Sequence, residues 1–214
     1  AYEISTRDWS SDVCSSDLHA IADANPGAGL ELRVTNGGGP IALLSMVGFI
    51  RDGFAWNPAA EGAVASIAFT NDRYVDGGDA YLNGALTTFS RALVSQGGQF
   101  YVAAIADEGQ LRQAWYTTSA SALQAGDFAR FDFATGVLDA SAHPDFSAQG
   151  QTLGFGFLNR FQFDTNGAPY TVDASFRYDN IGITVNAAPV PEPGAASLLA
   201  AGVAVLAWMG RRRV

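Results

Sequence analysis

Alternation of apolar and polar positions is the dominant periodicity of residues 19–187, the signature of half-buried β-strands. "LELRVTN" sets Leu30, Leu32 and Val34 on one face and Glu31, Arg33 and Thr35 on the other. "AVASIAFTND" turns Ala65, Ile67 and Phe69 inward and Ser66 and Thr70 outward. "QFYVAAIAD", "RQAWYTT", "FARFDF" and "TLGFGFLNR" continue the series, separated by Gly, Asp and Ser clusters that mark turns. Met46–Phe54 is too short and glycine-punctuated to assign, and Ser119–Ala125 reads as a short helical turn. In "SFRYDNIGITVN" the apolar parity changes between Phe176/Tyr178 and Ile181/Ile183/Val185, which predicts a bulge near Asp179-Asn180. Many strands with turns between them predict an all-β fold, an antiparallel β-sandwich. Its expected core holds Leu32, Val34, Ile67, Phe69, Phe131, Phe133, Phe155, Phe157, Ile183 and Val185.

The two ends break this pattern. Ala195–Met209 is an uncharged apolar run bounded by Gly194 and Gly210 and followed by Arg211, Arg212 and Arg213. As a helix it extends about 22 Å, short against the roughly 30 Å of a bilayer core, so it spans with flanking side chains snorkelling or the bilayer thinning. The arginines are expected to stay cytoplasmic, leaving the acidic body outside. Pro189, Pro191 and Pro193 keep the preceding chain extended. A core helix of the globular domain is the other reading, but the run has no polar face. At the opposite end Asp8–Leu18, "DWSSDVCSSDL", resembles the translation of a sequencing adapter. On that reading residues 1–18 are a disordered artefact, a native signal peptide is missing from the sequence, and Cys14, the sole cysteine, is no part of the domain. Disulfides and thiolate chemistry then drop out. The expected organisation is therefore a disordered, adapter-derived stretch at 1–18, a sandwich at 19–187 and a C-terminal signal at 188–214.

Charge narrows the partners. All twelve basic residues are arginine, and the net charge is −9. Between His19 and Pro191 eight arginines face sixteen carboxylates, a balance that repels phosphate backbones and argues against nucleic acid. Only His19 and His143 exist, so multi-histidine metal sites and a His-Glu-x-x-His helix are excluded. His143 before Pro144 reads as a turn residue rather than a triad member. Glu31, Glu61 and Glu108 are not spaced for a Glu-x-Asp-x-x-Glu strand, and no catalytic residue is assigned. The acidic stretch "NDRYVDGGDAY" offers Asp72, Asp76 and Asp79 around Gly77-Gly78, either a Ca²⁺ loop of hard oxygen ligands or a solvated hairpin turn. No other cofactor is indicated. For sugar binding the candidate rings are Trp56, Tyr74 and Trp115, with Tyr81 and Tyr116 beside them; each is otherwise a core aromatic.

Two resemblances follow from these residues. Pro191-Glu192-Pro193, the apolar run and Arg211–Arg213 resemble the PEP-CTERM sorting signal of exported bacterial proteins. That resemblance implies export, a membrane exosortase as partner, transient anchoring in the inner membrane, and delivery to the cell surface or exopolysaccharide matrix. "LQAGDF", "HPDFSAQGQTLGFGFLNR" and "YDNIGITVN" resemble the closing half of PEP-CTERM proteins with jelly-roll, concanavalin-like or laminin-G-like sandwiches. That implies a fold without naming an activity. The expectation is a non-enzymatic, extracellular β-sandwich protein with glycan binding as its natural extension; a secreted carbohydrate-active hydrolase and a purely structural matrix protein are the alternatives.

Overall fold

The computed structural model describes residues 2–8, 14–24, 27–36, 40–76, 86–104, 113–169 and 172–189. Among these residues twelve strands form two antiparallel sheets. The seven-stranded sheet runs β1 (Tyr2–Asp8), β4 (Pro40–Trp56), β11 (Leu153–Pro169), β6 (Leu86–Gln96), β7 (Gln99–Ala103), β9 (Phe128–Asp132), β10 (Val137–Asp139). The five-stranded sheet runs β2 (Cys14–Ala24), β3 (Gly27–Asn36), β12 (Val172–Ala187), β5 (Val64–Asp76), β8 (Tyr116–Leu123). The all-β sandwich architecture read from the alternation is present.

The inter-sheet core is aromatic. Phe157 stacks on Phe49 at 4.6 Å and meets Tyr178 of the facing sheet at 4.9 Å, while Phe161 meets Phe176 at 5.4 Å. Leu32, Ile67, Phe69, Phe155 and Phe157 are buried there, and Ile183 and Val185 pack against them partly buried. Burial of such rings contributes about 1.5–3 kcal/mol each, the largest favourable term in a fold of this kind. Phe131 and Phe133 are buried elsewhere. They join Met46, Leu93, Val102 and Leu158 in a second cluster on the outer face of the larger sheet, where Phe133 lies over Gly48. Period-2 parity explains it: Phe155 and Phe157 point inward on β11, so Leu158 between them and Arg160 points out. The side chain of Val34 lies outside the described residues.

Three local expectations differ from the structure. Of the expected turn Ser119–Ala125, Ser119–Leu123 is strand; it belongs to β8, which pairs with β5, and a 3₁₀ turn follows only at Ala125–Asp127. The one α-helical turn among the described residues is Pro58–Glu61, capped by the Asn57 side chain accepting from the Ala59 N–H at 3.1 Å. Ala65 is exposed while Val64 is buried, because the β12–β5 register skips a residue there. Met46–Phe54, unassigned by pattern, is the middle of the seventeen-residue β4. The bulge near Asp179-Asn180 is present: the register shifts between Asp179 and Gly182, and Asn180 takes a positive φ of 49°.

Residues 2–8 and 14–18, expected to be unstructured, run as β1 and the first part of β2 at the sheet edges. Edge pairing uses backbone N–H and C=O groups, so an extended segment of unremarkable sequence can add there. The expected helix at 195–209 lies outside the described residues; among those described, no helix is long and apolar enough to cross a membrane.

The packing sets three expectations. Phe157→Ala removes the ring shared by both sheets and should cost about 3–5 kcal/mol in denaturant unfolding. Deleting residues 1–18 removes none of the core side chains named above, so cooperative unfolding should survive with a much smaller loss. Gly156→Ala should be as damaging as the phenylalanine change, because a Cβ there meets the carbonyl oxygen of Phe49.

Candidate functional site

On β5 the residues with odd numbers from Ile67 to Val75 are buried, which turns Asp72, Tyr74 and Asp76 to the outer face of the five-stranded sheet. On β12 Phe176 and Tyr178 are buried, so Ser175, Arg177 and Asp179 share that outer face. Register then aligns Tyr74 with Arg177 and Arg177 with Glu31 of β3. Trp115, just ahead of β8, completes the line. The two rings stand 5.7 Å apart and inclined by 51°. The Arg177 guanidinium carbon is 5.7 Å from the Tyr74 ring centre, and its Nε is 3.3 Å from a Glu31 carboxylate oxygen. The Ser175 hydroxyl donates to the same oxygen at 2.6 Å. Trp115, Tyr74, Arg177 and Glu31 thus form one row crossing the strands, with both rings half-buried.

Hydrogen bonds fix the flanks. Asp72 accepts from the Thr117 hydroxyl at 2.5 Å and from the Asn180 amide at 2.7 Å. Asp76 accepts from the Gln113 amide at 3.2 Å. Farther along the face Arg33 donates to both oxygens of Asp173, at 2.9 and 2.6 Å, and holds that carboxyl below its ordinary range.

The sequence-derived candidates divide accordingly. Tyr74 and Trp115 come together. Trp56 does not join them: its indole N–H donates to the Gly62 carbonyl at 2.8 Å and its ring packs on the core, anchoring the turn after β4. Asp72 and Asp76 point the same way from one strand but are tied to different donors, and Asp79 lies outside the described residues. Among the described residues no group of three or more His, Cys, Asp or Glu side chains is placed to hold a metal ion. His143 Nδ1 donates to the Phe128 carbonyl at 2.6 Å and secures a loop. Tyr81 is also outside the described residues, and Tyr116 is exposed at the sheet edge.

Pattern reading missed Arg177, Glu31 and Thr117 as parts of this site; Asn180 it marked, with Asp179, at the bulge. Parity exposed Arg177 and Glu31, but only strand pairing puts them beside Tyr74. An open depression of about 400 Å³ lies on the other sheet near Phe100, Arg130, Asp132 and Phe133. Its polar groups serve the turn itself: Arg130 pairs with Asp139 at 2.7 Å, and Asp132 accepts from Ala134 and Thr135. The row on the five-stranded sheet is therefore the better candidate.

Because Asp173 is depressed in the folded state, its contribution is complete above the ordinary aspartate pKa of about 4 and is lost as pH falls through the lowered value. Asp173→Asn should destabilise slightly at neutral pH, by less than about 1 kcal/mol for so exposed a pair, and the gap to the parent should close in acid. Thermal melts across that range check it.

Residues 189–213 match the PEP-CTERM protein-sorting motif. None of the curated proteins matches this chain. The matched segment contains Pro191-Glu192-Pro193 and Arg211–Arg213, which lie outside the described residues, and its presence implies an exported protein that is sorted through exosortase processing.

Proposed function

We propose that this is a non-enzymatic glycan-binding protein of the cell surface or exopolysaccharide matrix, built on a lectin-like or jelly-roll sandwich. The C-terminal segment acts as a handle: Pro191-Glu192-Pro193 is presented to the exosortase, 195–209 holds the chain in the inner membrane as a short helix, and Arg211–Arg213 keep the end cytoplasmic. The body then leaves the tail behind. The match at 189–213 supports the sorting half of this reading.

The observation that carries the binding half is the Tyr74–Trp115 pair on the outer face of the five-stranded sheet, with an arginine and ordered carboxylates beside it. Sugars present C–H faces that pack on aromatic rings and hydroxyls that need donors and acceptors in fixed positions. Both are provided within one row. The rings carry little of the core, so replacing them should spare the fold.

Replacing Arg211–Arg213 by alanine should impair membrane retention and tail removal in an exosortase-containing host fitted with a signal peptide; normal processing overturns the sorting role. Tyr74→Ala and Trp115→Ala should each weaken glycan retention in affinity electrophoresis by about tenfold or more while leaving the melting temperature nearly unchanged. Retention equal to the parent's overturns the binding face.

A further inference from the structure

Resting on the glycan-binding reading of this face, we propose that the ligand is a single, uncharged polysaccharide chain lying across the strands, and neither a crystalline glycan surface nor a polyuronate. The inclination of the rings carries the first part. A crystalline surface offers one plane, and rings stacking on it must be coplanar. Trp115 and Tyr74 are inclined by 51° at 5.7 Å, so no plane lies flat on both. A lone chain meets them readily, because successive sugar rings turn relative to one another about the glycosidic bonds. The row also supplies edge contacts that a crystal face cannot use. Arg177 adjoins Tyr74, and Glu31 lies beyond it one strand further on, at the roughly 4.8 Å step between neighbouring strands.

Charge carries the second part. Tyr74 is bracketed along β5 by Asp72 and Asp76, and Asp179 sits directly opposite Asp72 in register. Among the described residues, the arginines of this face are Arg177 and Arg33, ion-paired to Glu31 and Asp173. A carboxylated sugar brought to the rings therefore meets an excess of like charge close enough to act inside a Debye length of about 8 Å. Sugar hydroxyls fare differently. A carboxylate oxygen has two lone pairs, so Asp72 can accept from a hydroxyl while keeping Thr117 and Asn180, which hold its orientation.

The test uses the full-length chain in mild detergent against three probe sets: soluble neutral glucans, mannans and galactans; alginate and polygalacturonate; and crystalline cellulose and chitin. At least one soluble neutral chain should bind, with an affinity indifferent to salt and reduced about tenfold or more by Tyr74→Ala or Trp115→Ala. Circular dichroism melts of the variants confirm that they fold. Binding to polyuronate or to a crystalline surface that the two variants abolish overturns this inference and leaves the glycan face standing. Binding of no probe, or binding that survives both substitutions together, overturns the reading of the face itself.

Discussion

The stack of Phe49, Phe157 and Tyr178 ties the two sheets together and sets which side of each strand faces out. A strand has only two faces, so fixing one inward residue fixes the direction of all its regular neighbours. Tyr178 inward places Arg177 outward. Arg73, fully buried opposite Tyr178, places Tyr74 outward. The surface row is thus a consequence of core packing one residue away, and a slip of one position would bury the rings and expose the core.

The interior tolerates some unusual company for that purpose. Asn71 donates to Ser90 at 2.7 Å across the sandwich, and Arg73 reaches Thr88 at 3.3 Å. Burial pushes the Tyr178 phenol above its ordinary pKa, with the nearby Arg73 charge opposing the shift. Polar links of this kind are directional, unlike the rings around them, and they pin β5 to β6 in a single relative position. Asn180 does comparable work on β12. Its left-handed backbone lets Phe176 and Tyr178 on one side of the bulge, and Ile181 and Ile183 on the other, reach the same core.

Much of the fold was legible because alternation reports burial directly. Leu32, Ile67, Phe69, Phe155 and Phe157 were identifiable from parity alone, and so was the bulge in "RYDNIG". Parity cannot say which layer covers a face. Phe131 and Phe133 alternate as core residues do, yet they fill a cluster on the far side of their sheet. β4 was obscured by Gly48 and Gly53, which weaken a pattern without preventing a strand. For the candidate site, composition singled out Tyr74 and Trp115 but also Trp56, since exposure depends on what packs nearby. The partnership with Arg177 and Glu31 rests on contacts more than a hundred residues apart in sequence, and no local signal encodes it.

The N-terminal edges bear on how such a molecule behaves in a crowd. β1 and β2 are held to β4 and β3 by ladders of main-chain hydrogen bonds, and a ladder of that kind does not discriminate by sequence. The far edge of the larger sheet is blunter, since β10 is only three residues long. Identity therefore matters least where β1 and β2 attach. A strand from another molecule competes there on equal chemical terms, and what favours the resident one is its covalent tether, which keeps it at high effective concentration.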